Sequence, residues 1–148
     1  WPEGSPAIVV LSRIHHDGLN KFIRRFEELA ARKAPGMPLR LVFYQLKGDD
    51  KTRLEQTTDY VKFLGSTSPY SVIDRSQYLS LRETLKRRYE DGAAKAKKKN
   101  PVFDIFQPVI IFFDADGVPL YLTNGVLENE QIEFALAGFT SATGTGPK

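Results

Sequence analysis

The chain has 148 residues, 41% of them hydrophobic and 11% aromatic, with a formal net charge of +3. That is enough for one domain with a real core, burying about 70% of the surface its unfolded chain exposes. It contains no cysteine, which excludes disulfides, thiolate chemistry and cysteine-based metal sites within these residues, and no apolar run approaches the ~20 residues of a membrane span.

The first six residues, opening at Trp1 rather than Met as a processed or excised sequence would, read as a lead-in. Ala7 to Leu11 is an unalternating apolar run, the pattern of a strand covered on both faces. Ser12 to His16 is a short polar connection. From Asp17 the period changes, with Leu19, Phe22, Ile23, Phe26, Leu29 and Ala30 on one helical face. Asp17 is the expected N-cap, Arg32 and Lys33 suit the C-terminal end, and Pro35-Gly36 stops the helix. Leu39 to Leu46 is the next strand. A helix marked by Leu54, Thr57, Val61 and Leu64 follows, capped by Asp49 or Asp50 and closed at Gly65. Tyr70 to Ile73 is a short strand, and a third helix runs from about Ser76 to Tyr89, with Gly92 at its end. Ala93 to Asn100 is read as a lysine-rich loop. Val109 to Phe113 is a second buried strand, introduced by Pro108. Asp114-Ala115-Asp116-Gly117 is turn chemistry, with Gly117 suited to positive φ. Val118 to Thr123 returns as a strand near an edge, because Pro119 cannot donate to a ladder. The last helix spans about Glu128 to Ala137, and residues 140–148 read as a disordered tail. The order β-α-β-α-β-α-β-β-α calls for an α/β sandwich over residues 7–139, with helices on both faces of a mostly parallel sheet that ends in an antiparallel hairpin. Its first and fourth strands should lie at the centre.

This order of parts resembles the thioredoxin-like superfamily, in particular its TlpA-like and peroxiredoxin-like branch, over about Ala7 to Phe139. Pro108 matches the family's cis-proline, Asp114 to Gly117 its hairpin turn and Gly125 its late glycine. Ser66 to Asp74 looks like the stretch where these proteins carry a proline and a short strand. The departure falls where the family has its C-x-x-C pair. His16 and Leu19 stand at the two cysteine positions, His15 replaces the preceding tryptophan, and Val10 stands where many members have a buried acid. The resemblance implies a three-layer thioredoxin-like sandwich that has lost thiol-disulfide exchange, since that reaction needs a thiolate. It also implies a groove for an extended peptide beside the proline, and it tilts the location toward the periplasm or the exterior, where such proteins are commonly found.

Three groups of residues are candidates for function. His15-His16-Asp17-Gly18 with Gln107-Pro108 would form the partner-binding surface by backbone pairing, a mode that needs no sulfur. The plain alternatives are a solvated loop capped by Asp17 and a proline that merely starts a strand. A metal or acid–base site at His15, His16 and Asp17 is a second possibility, but spacing suggests no third ligand. Lys86, Arg87, Arg88, Lys95, Lys97, Lys98 and Lys99 put seven basic residues against two acids between 86 and 99. That segment suits nucleic acid, anionic lipid or an acidic partner, though such runs are most often solvated. No P-loop, nucleophile elbow or zinc spacing occurs, so no cofactor is expected. The leading expectation is a redox-inactive module that binds another protein as an adaptor, assembly factor or chaperone-like unit.

Overall fold

A computed structural model describes residues 6–45, 48–95, 108–116, 119–124 and 128–143. Five strands and four helices alternate along the chain: β1 (Ala7–Arg13), α1 (Asp17–Lys33), β2 (Leu39–Tyr44), α2 (Asp50–Leu64), β3 (Tyr70–Ile73), α3 (Arg75–Lys95), β4 (Val109–Phe113), β5 (Pro119–Asn124) and α4 (Asn129–Thr143). The strands form one sheet in the order β3-β2-β1-β4-β5. β1 pairs in parallel with β2, and β2 with β3, whereas β4 runs antiparallel to both β1 and β5. Four strands therefore share a direction and β4 alone is reversed. The sheet is mostly parallel, with antiparallel junctions on both sides of β4 rather than in the hairpin alone. The central place expected for the first and fourth strands follows from their composition. Ile8, Val9, Val10, Ile110, Ile111 and Phe112 are all buried, so each of these strands needs cover on both faces.

Alternation along the strands divides the core in two. Ile8, Val10, Leu41, Phe43, Ile110 and Phe112 face α1, α2 and α4, where Phe22, Phe26, Tyr60, Leu64, Ile132 and Leu136 close the layer. Val9, Leu11, Val42, Tyr44, Val109 and Ile111 face the other way, toward Tyr78 and Leu85 of α3. Burying one such leucine, isoleucine or phenylalanine side chain stabilises the fold by about 1.5–3 kcal/mol. The two layers are therefore what orients the connecting loops.

Helix boundaries follow local chemistry. Asp49 caps α2 by accepting from the Thr52 N–H at 2.8 Å. Gly65 ends the same helix in the left-handed conformation, φ 67°, at little steric cost. At the start of α3, the Gln77 N–H donates to Asp74 Oδ1 at 2.8 Å while the Asp74 N–H donates to Gln77 Oε1 at 3.0 Å. This is a reciprocal capping box. The β4–β5 turn contains an Asx bond from the Asp116 N–H to Asp114 Oδ1 at 2.9 Å. β5 is an edge strand, and Pro119 sits opposite Phe113 where the register is irregular.

Several boundaries differ from the sequence reading. β1 continues through Arg13, so the connection to α1 is shorter, and its Ile14 is buried. β2 ends at Tyr44 rather than Leu46. α3 runs through Gly92 as far as Lys95, so residues 93–95 are helical instead of loop. An isolated glycine costs a helix only ~1 kcal/mol, and the alanine and lysine after it favour continuation. α4 runs to Thr143, not Ala137. Phe139 and Thr140 are buried, and the Thr140 hydroxyl donates to the Leu136 carbonyl at 2.8 Å. Residues 140–143 are therefore helix rather than tail. Leu54 is 54% exposed. The inward face of α2 is Thr57, Tyr60, Val61 and Leu64.

Candidate functional site

The connection from β1 to α1 leaves the sheet at the same end at which β4 begins. Leu11 is paired with Val109 in the antiparallel β1–β4 register. Pro108 directly precedes Val109 and is buried, while residues 14–16 follow Leu11 by a few steps. The topology thus brings His15 to Gly18 and Pro108 to one end of the sheet's centre. Gln107, and with it the Gln107–Pro108 peptide, lies outside the described residues, as do Gly117 and Gly125.

His16, not Asp17, is the N-cap of α1. Its backbone is extended, φ −81° and ψ 119°, and Nδ1 accepts from the Leu19 N–H at 3.2 Å. Asp17 is instead the first helical residue, where its charge complements the positive end of the helix dipole. The cap engages Nδ1, which in the neutral ring leaves the proton on Nε2. Among the described residues, no three His, Asp or Glu side chains converge as a cation site requires. His15 is exposed and adopts φ 59°, a left-handed conformation that a non-glycine residue enters at a cost of roughly 1–2 kcal/mol.

A residue the sequence reading passed over holds this loop. Tyr60 of α2 is fully buried. Its ring lies 4.7 Å from that of His15 and 5.7 Å, edge on, from that of Phe43. Its hydroxyl donates to Asn20 Oδ1 on the first turn of α1. Burial pushes that hydroxyl up to about 12, against the opposing effects of a hydrogen bond with the His16 backbone and the charge of Arg13. Phe63, 71% exposed, stacks on the other side of Tyr60 at 6.4 Å. The spacing that exposes Tyr60 in sequence is the i, i+3, i+4, i+7 series from Thr57, which Leu54 does not join.

Lys86 and Arg87 lie on a different face. Both are exposed on α3, which covers the opposite side of the sheet from α1. Arg87 pairs with Glu83 at 3.4 Å, an exposed contact contributing ~0.3–0.5 kcal/mol. Arg88 and Lys95 belong to the α3 backbone. Lys97, Lys98 and Lys99 lie outside the described residues.

No protein-family model and no curated protein matches the sequence. Solved structures do match the fold. A secreted disulfide oxidoreductase of Mycobacterium tuberculosis aligns over 95% of this chain and 84% of its own at 15% identity, with a TM-score of 0.55. The thioredoxin domain of a Bacteroides vulgatus thiol-disulfide oxidoreductase aligns over 93% and 80%, at 11% identity and a TM-score of 0.61. The fold is thioredoxin-like. The bacterioferritin comigratory protein of Xanthomonas campestris, whose structures concern alkyl peroxide reduction, aligns over 95% and 82% at 9% identity and a TM-score of 0.55. At such identities the likeness carries architecture alone. Within that thioredoxin-like architecture this chain has no cysteine, and Val10 is buried in an apolar cluster. The scaffold is present without the groups that exchange disulfides.

Proposed function

We propose that this thioredoxin-like chain is a redox-inactive module that binds another protein in an adaptor, assembly or chaperone-like role. His15, His16, Asp17, Gly18, Gln107 and Pro108 form the docking surface. The observation that carries this reading is the register that sets Val109 opposite Leu11, because it assembles the loop and the proline at one sheet end. Backbone groups beyond the β1–β4 pairing are then the natural acceptors and donors for an extended segment of the partner. β1 and the helices around it serve as a rigid platform within a single domain that α4 carries on to Thr143.

The test is retention of partners from an extract of the native organism by immobilised chain, comparing wild type with Pro108→Ala and His15→Glu. A specific partner should be retained about tenfold less by the variants, as the loss of roughly 1.4 kcal/mol of binding implies, while thermal unfolding shifts little. Equal retention by wild type and both variants overturns this surface. Retention that instead falls steeply with salt and is abolished by Lys86→Glu with Arg87→Glu assigns binding to the basic face.

A further inference from the structure

At the end of the sheet opposite the docking loop, the connection from α2 to β3 folds back onto α1 around one carboxylate. Glu27 Oε2 accepts from the Ser66 hydroxyl at 2.8 Å and also from the Ser68 hydroxyl. The Ser66 oxygen in turn accepts from the Ser68 N–H at 3.2 Å. Glu27 Oε1 is out of solvent contact and has no hydrogen-bond partner. A carboxylate oxygen left in that state costs stability that a donor would restore. Beside it lies a cleft of about 300 Å³ lined by Arg24, Glu27, Glu28, Gly65 and Thr67. The Arg24 guanidinium crosses directly over Gly65, whose missing Cβ would lie 2.5 Å from Nη1. Neither Arg24 nor Glu28 forms an ion pair with another described residue.

We propose that this cleft binds a small zwitterion of the free α-amino acid class. The ammonium group meets the Glu27 and Glu28 carboxylates, with the half-used Glu27 fixed in place by its two serines. The carboxylate meets the Arg24 guanidinium, whose planar fork suits bidentate recognition. Two carboxylates lining the same cleft as one guanidinium disfavour a simple anion, and the guanidinium disfavours a simple cation. A ligand whose two charged groups are substituents of one carbon satisfies all three groups. A peptide terminus carries only one of the two charges at a given residue, so the free amino acid is the matching source. Arg24 and Glu28 are exposed, so the cleft they line is open to a solute.

Amide chemical shifts of the full chain, followed during titration with L-alanine, N-acetyl-L-alanine and L-alaninamide, test this. L-alanine should move Gly65 and Thr67 saturably at millimolar concentration. Each capped probe, lacking one charge-assisted contact, should bind about tenfold more weakly. Arg24→Gln and Glu28→Gln, on exposed positions that leave the fold intact, should each weaken L-alanine by a similar factor. Equal shifts from all three probes, unchanged affinity in both variants, or no saturable response overturns the site. Glu27→Gln separates a clamp from a ligand-binding group. A lowered unfolding midpoint with unchanged L-alanine affinity makes Glu27 structural only and removes it from the proposal, and the proposal with it.

Discussion

The strongest test of how the α1 loop is held is alkaline titration of the chain against Tyr60→Phe. Tyr60 is fully buried and its hydroxyl is pushed up to about 12, mainly by burial, from the ordinary value near 10 of an exposed tyrosine. A value raised on folding means that the unfolded chain loses this proton first. The stabilisation is therefore complete below pH ~10 and is withdrawn as pH rises toward ~12. The interval corresponds to roughly 2–3 kcal/mol at most. At neutral pH, Tyr60→Phe should cost about 1–2 kcal/mol, because Asn20 Oδ1 and the His16 backbone lose a partner in a buried place. Between pH 9 and 12 the wild type should fall faster than the variant in urea-unfolding free energy, closing that gap. The Tyr78 hydroxyl, also raised by burial, and the lysines titrate in both proteins and cancel in the difference. Parallel pH profiles for the two chains would refute the argument that burial of this one hydroxyl ties α2 to the loop.

Two further outcomes follow from the same layer. His16→Ala should destabilise the fold by about 1 kcal/mol and His16→Asn by only a few tenths, since asparagine restores a cap for the Leu19 N–H; equal losses would show that His16 does not act through its cap. Thr57 is completely buried and its hydroxyl has no partner, so Thr57→Val should raise the urea midpoint by the equivalent of ~1 kcal/mol. A lower midpoint would mean that the hydroxyl is bonded.

The architecture was legible because it rests on patterns the chain repeats. Unbroken apolar runs at Ala7 to Leu11 and Val109 to Phe113 mark strands covered on both sides, and every residue of the Leu19 to Ala30 series is buried as its spacing requires. Ends of elements were less legible. Gly92 and the polar residues after Phe139 look like stops, yet tertiary packing carries α4 on to Thr143, with Phe139 and Thr140 buried against the core. Aspartate is the stronger N-cap by preference, yet the turn at His15 delivers histidine to that position. Tyr60 and Glu27 lay beyond reach for a different reason. Their partners, Asn20 for Tyr60 and Ser66 and Ser68 for Glu27, are about 40 residues away, and no local spacing announces a hydrogen bond of that range.

The reversed fourth strand has a consequence for how the chain is made. β1 is synthesised before the other elements of this fold, and the neighbour that seals one of its flanks, β4, follows only after the first three helices. Until then, a run of alanine, isoleucine, valine and leucine has an open hydrogen-bonding edge, the kind of surface that recruits other nascent chains. Closure across so long a stretch of sequence is slow. Chaperone occupancy during translation should therefore rise after β1 emerges and fall only once Val109 to Phe113 clears the exit tunnel.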